Sequence, residues 1–113
     1  MLNTTNITNA LWIYLKKHHI GRQNAASSKT LEAAFHLKGA AIRKLVNTLR
    51  CEGFPVCSDT VGYYIAATQQ EINNTITQLN SRITKIANAK NGLLNSYLKG
   101  KPDIMVEICL SFE

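Results

Sequence analysis

Residues 31–50 read Leu31-Glu32-Ala33-Ala34-Phe35-His36-Leu37-Lys38-Gly39-Ala40-Ala41-Ile42-Arg43-Lys44-Leu45-Val46-Asn47-Thr48-Leu49-Arg50. Two helical patterns meet here at a short break. In the second, Ile42, Leu45, Val46 and Leu49 recur at the i, i+3, i+4 and i+7 positions of one face, which predicts a helix over 39–52 ended by Gly53. In the first, Leu31, Ala34 and Phe35 share a face, and Ser28 is the expected N-cap of a two-turn helix over 29–36. Small Ala34 is expected where the two helices cross closely, and Leu37 plugs the turn between them. His36 stands where Gly commonly takes the left-handed turn, and Lys38 where Ser or Thr usually caps the following helix.

Working outward toward the N-terminus, Ile7, Leu11, Ile13, Tyr14 and Leu15 predict a helix over 6–19. Its last turn carries Lys16, Lys17 and His18, which suit the helix dipole, and Gly21 is the expected stop. A polar connector, 22–27, follows. Toward the C-terminus, short apolar runs at 54–58 and 62–66 flank residues 59–61 and predict a hairpin, with Pro55 limiting the first strand because it cannot donate to a ladder. Thr68-Gln69-Gln70-Glu71 matches a capping box and predicts the start of a long helix. Its residues Ile72, Ile76, Leu79, Ile83 and Ile86 step by 4, 3, 4 and 3, a seam of the coiled-coil kind. Packing on the chain's own first helix is the plain reading of that seam; a homodimer interface is the favoured one. Residues 93–98 either continue the helix or begin another, and Gly100-Lys101-Pro102 stops it. Apolar and polar residues then alternate from Ile104 to Glu113, which predicts a strand that pairs with the hairpin or with a copy of itself.

The expected architecture is mostly α with a small β component. Residues 1–67 form a winged helix-turn-helix, 68–99 a long amphipathic helix suited to dimerisation, and 100–113 a C-terminal β-strand. The helix-turn-helix stretch, with the continuation Cys51-Glu52-Gly53-Phe54-Pro55-Val56-Cys57, Gly62-Tyr63-Tyr64-Ile65-Ala66, Glu71-Ile72, Leu79 and Arg82, resembles small winged helix-turn-helix proteins of Gram-positive phages and prophages over roughly residues 8–92. That resemblance implies a DNA-binding or phage regulatory role.

Charge points the same way. The chain of 113 residues carries a net +6, and it is unevenly spread: residues 1–50 hold eight basic residues against the single acid Glu32, while 51–113 hold five against six. A basic half predicts an anionic partner, most often nucleic acid. A third helix in the major groove shows its N-terminal and outer residues to DNA. Those are Lys38, Gly39, Ala40, Ala41, Arg43, Lys44 and Asn47. Arg43 suits a bidentate contact to guanine and Asn47 to adenine, Gly39 and Ala40 allow close approach, and Lys29, Lys38, Lys44 and Arg50 suit phosphates. The solvated face of an ordinary helix would carry the same residue types. Residues 51–67 contain Glu52 and Asp59 and no Lys or Arg, which assigns the hairpin to structure rather than to DNA contact.

Other classes find little support. Cys51, Cys57 and Cys109 make an odd count without C-x-x-C spacing, and no secretory leader pattern is present, which reads as a reduced, cytoplasmic protein. The longest apolar run, 10–15, is far short of a membrane span. His18, His19 and His36 lack zinc spacing, so no metal and no cofactor are implied, and no nucleophile triad, phosphate loop or carboxylate pair suggests an enzyme. The expected function is a sequence-specific DNA-binding protein of phage type, a transcriptional regulator acting as a homodimer on double-stranded DNA. The alternative is a protein or RNA interaction module on the same fold, with a host or phage protein as partner, such as an inhibitor of a host nucleoprotein. A component of a replication-initiation assembly would share the DNA-binding expectation.

Overall fold

Ile42, Leu45, Val46 and Leu49 are all buried, and the fold is assembled around the stripe they form. A computed structural model describes residues 4–100. It is mostly helical with one small antiparallel sheet, in the order α1 (Thr4–His18), a 3-10 turn (Arg22–Asn24), α2 (Ser28–Phe35), α3 (Gly39–Cys51), β1 (Val56–Ser58), β2 (Tyr63–Ile65) and α4 (Gln69–Gly100). The chain divides into two compact units, Met1–Ile76 and Thr77–Glu113. The first unit thus runs past residue 67 into α4, where Thr75 is buried. The strand expected over 104–113 lies outside the described residues.

In the first unit, Leu11 and Leu15 of α1, Leu31 of α2 and the α3 stripe join Ala26, Val56 and Ile65 in one core, with Ile7, Trp12, Tyr14, Phe35, Leu37, Phe54 and Tyr63 packed against it. Each helix contributes residues three or four apart, so burial of one face per helix drives the assembly. Leu37 fills the turn as the sequence predicts. Ala34, however, is exposed, because α2 faces the core through Leu31 and Phe35, four residues apart, and Ala34 lies about 100° round the helix from Phe35.

Helix boundaries follow local chemistry. The N-cap of α2 is Ser27 rather than Ser28: the Ser27 hydroxyl accepts the Thr30 N–H at 3.1 Å, while Ser28 Oγ donates to Glu32 Oε2 at 2.8 Å. His36 ends α2 in the left-handed region, φ 54°, ψ 43°, so that its N–H and that of Leu37 both reach the Glu32 carbonyl. Lys38 is the extended N-cap of α3 and makes no side-chain capping bond.

β1 and β2 pair antiparallel in the register Val56–Ile65, Cys57–Tyr64 and Ser58–Tyr63. β1 begins directly after Pro55 and is three residues long. The far edge of β2 is also occupied. Ala26 and Tyr63 exchange both backbone hydrogen bonds at 2.8 Å, Gly21 N–H reaches the Ile65 carbonyl at 2.8 Å, and Ile65 N–H reaches His19 at 2.8 Å. The connector between α1 and α2 therefore meets β2 at two isolated bridges of opposite sense, parallel at Ile20–Ile65 and antiparallel at Ala26–Tyr63, on either side of the 3-10 turn. Gly62 makes this possible: its φ is +151°, and a Cβ there would lie 2.3 Å from the Ala26 carbonyl oxygen.

α4 is a single uninterrupted helix through Gly100, so residues 93–98 continue it. The capping box at its start is altered. Thr68 Oγ1 accepts the Glu71 N–H at 3.2 Å, but the Glu71 carboxylate reaches past Thr68 to the N–H groups of Ala67 at 2.7 Å and Arg22 at 2.9 Å. Among the described residues no helix is long and apolar enough to cross a membrane.

Candidate nucleic-acid interface

α3 is two-sided. Opposite its buried stripe, Lys38 at the cap, then Ala40, Arg43, Lys44 and Asn47, are exposed, and Ala40, Arg43, Lys44, Leu45, Asn47 and Thr48 line a shallow surface depression. Small Ala40 keeps this face low beside the longer Arg43 and Lys44. Thr48 turns its hydroxyl back onto the Lys44 carbonyl at 3.0 Å, and Asn47 supplies the one side-chain amide among the lining residues.

The start of α3 is built jointly with α2. A Cβ at Gly39 would lie 3.3 Å from Glu32 Oε2, 3.5 Å from Ser28 Oγ and 3.6 Å from Arg43 Nη1. The first turns of the two helices therefore adjoin. That places exposed Lys29, the second residue of α2, at the same end of α3 as Lys38. It also sets the only acid of residues 1–50 at the positive end of the α3 dipole, where a carboxylate is favoured. Glu32 and Arg43 thus converge on Gly39 from two helices, an arrangement that the linear sequence does not display.

Arg50 departs from expectation. It is half-buried at the C-terminal end of α3, with Nε donating to the Val56 carbonyl at 2.7 Å and Nη2 to Ser58 Oγ at 2.9 Å, so its guanidinium holds β1 against α3. A signal for this was present: Arg50 follows Val46 by four residues and Leu49 by one, which sets it on the rim of the buried stripe. Arg22 is likewise engaged, through Nε, with the Asp59 carboxylate at the hairpin tip. Burial works to raise the Asp59 pKa, but the Arg22 guanidinium and the Val61 N–H outweigh it and hold the carboxyl below its ordinary value. Two of the eight basic residues of the first half therefore serve the fold.

The hairpin tip is closed by the Asp59 N–H on the Gly62 carbonyl at 3.1 Å and the Val61 N–H on Asp59 Oδ1 at 2.8 Å, with the Val61 side chain exposed. Tyr14 meets His18 and Phe35 edge-on and His19 at a tilt, and His19 Nδ1 lies 2.7 Å from the Asn24 carbonyl. Among the described residues no group of three His, Cys, Asp or Glu is placed to hold a metal ion. Cys57 is buried beneath the start of α4, its thiol directed at the Glu71 carbonyl, and burial pushes its pKa up.

Along α4, Ile72 and Leu79 are half-buried, whereas Ile76, Ile83 and Ile86 are exposed, the last two by 63% and 69%. No family model, curated protein or solved structure matches the chain.

Proposed function

We propose that this chain is a winged helix-turn-helix DNA-binding protein of phage or prophage type, a transcriptional regulator that lays α3 in the major groove and acts as a homodimer. The observation that carries the reading is the two-sidedness of α3, which is anchored by four buried aliphatic residues and presents Arg43, Lys44 and Asn47 outward beside a low Ala40 surface. The order of three helices and a hairpin, with the connector before α2 bridged to β2 at Ile20 and Ala26, agrees with a winged helix plan.

In this reading Arg43 pairs with guanine and Asn47 with adenine, each worth about 1–3 kcal/mol of discrimination. Lys29, Lys38 and Lys44 meet phosphates flanking the groove, and Gly39 and Ala40 let the backbone approach. Arg50 leaves the contact set because its donors hold β1. The seam of α4, half-buried Ile72 and Leu79 with exposed Ile76, Ile83 and Ile86, joins two copies, as two-fold readers of DNA require.

Fluorescence anisotropy against duplex DNA from upstream of the coding region, repeated across salt, tests the proposal. Three phosphate-binding lysines per chain predict a log K against log salt slope of about −5 for a dimer and about −3 for one chain. A flat salt dependence, or tighter binding to RNA of the same sequence, argues for the interaction-module alternative.

A further inference from the structure

The apolar seam does not stop at Ile86. In the second unit, Leu79, Ile83, Ile86, Lys90, Leu93 and Tyr97 continue the 4, 3 stepping without a slip, so Leu79, Ile86 and Leu93 occupy d positions and Ile83, Lys90 and Tyr97 occupy a positions. A period of 3.5 sustained in this way suits another helix wound at the same pitch rather than a flat surface. Ile83, Ile86, Leu93 and Tyr97 are exposed by 63%, 69%, 75% and 37%. Together they bare on the order of 500 Å² per chain, most of the roughly 800 Å² per partner that a stable interface buries.

Lys90 is the one charged residue in that stripe, and the chain from Ile72 to Gly100 has no acid with which to pair it. A lone lysine at an a position lowers stability and selects geometry. In a two-stranded coil its ammonium can follow its aliphatic stem out to water, whereas in a trimer or tetramer it would be enclosed. An antiparallel pair would interrupt the seam twice, each Lys90 facing an apolar d residue of the other helix. A parallel, in-register pair confines the interruption to one layer.

Resting on the homodimer reading above, we infer that α4 forms a parallel, two-stranded, in-register coiled coil with a second copy of this chain, and that Lys90 facing its own copy sets both the stoichiometry and the register. Lys90 thus holds the dimer weak, and its removal strengthens it.

The test uses full-length chains in sedimentation equilibrium and native mass spectrometry. The parent is expected to be dimeric in the micromolar range, and Lys90→Leu to lower the dissociation constant about tenfold or more. In an equimolar mixture of the parent and Lys90→Glu, in-register pairing sets Lys against Glu. Heterodimers then exceed the statistical half, and the excess fades at high salt. A parent that stays monomeric at about 100 µM overturns this inference and the homodimer reading together. A dimeric parent that mixes statistically with Lys90→Glu, or that is not tightened by Lys90→Leu, overturns the register inference alone, and so does a trimer or tetramer.

Discussion

Glu71 accepts the backbone N–H of Arg22 at 2.9 Å through one carboxylate oxygen while its other oxygen takes the Ala67 N–H at 2.7 Å. One side chain in the first turn of α4 thereby fastens the helix both to the residue before its cap and to the 3-10 turn that follows α1. The two backbone donors hold the Glu71 carboxyl below its ordinary pKa. Replacing it with Ala removes an N-terminal acid and two acceptors, and the unfolding free energy is expected to fall by about 1 kcal/mol. Thermal unfolding of Glu71→Ala beside the parent measures this.

The same carboxylate and Asp59 set an acid limb of stability. Both titrate lower in the folded chain than when unfolded, so the unfolded chain takes up protons first as pH falls. Their contribution is complete above the ordinary carboxylate pKa near 4 and is lost as pH drops through the depressed folded values. The unfolding midpoint of the parent should decline over that range, and Glu71→Gln combined with Asp59→Asn should flatten the decline.

Gly62 is where a single methyl group is expected to do the most damage. Its φ of +151° and the Ala26 carbonyl oxygen 2.3 Å from the Cβ position leave the backbone of the connector no room. Gly62→Ala should cost more than about 2 kcal/mol, lowering the melting temperature by roughly 10 °C or more. His36 offers the opposite case. Its left-handed φ of 54° costs an L side chain about 1 kcal/mol, so His36→Gly should raise the melting temperature by a few degrees once the added freedom of the unfolded chain is offset.

Arg50 and Lys44 separate structure from binding. Arg50→Ala removes two hydrogen bonds to β1 and should lower stability by about 1–3 kcal/mol while leaving the salt slope of DNA binding unchanged. Lys44→Ala should leave the melting temperature in place and reduce the slope by about 1 per chain.

What could be read from the sequence, and what could not, divides along physical lines. α3 was legible in both faces because its buried stripe, Ile42 to Leu49, defines its exposed face by complement. The hairpin and the start of α4 were marked by Pro55, Gly62 and Thr68. The cap of α2 was misplaced by one residue because Ser27 and Ser28 are chemically alike, and only the backbone geometry decides which hydroxyl meets Thr30. The bridge from Ala26 to Tyr63 left no trace because one exchanged pair has no period. The partners of Arg50 and Glu71 are set by tertiary proximity: the Glu71 carboxylate meets a donor 49 residues away in sequence. The 3.5 period of α4 continues past Ile86 through Leu93 and Tyr97, but exposure does not single out that stripe, because between residues 80 and 99 every residue except Ala87 and Leu94 is exposed.

In the proposed DNA complex, Arg43 and Asn47 on α3 read base edges. The ratio of binding constants for the upstream duplex and a scrambled duplex of equal length, measured at fixed salt, tests it most directly. The parent is expected to show a clear preference that falls by about tenfold or more in Arg43→Ala with Asn47→Ala, with binding to the scrambled duplex reduced far less. A parent without preference, or a preference that survives both substitutions, would contradict it.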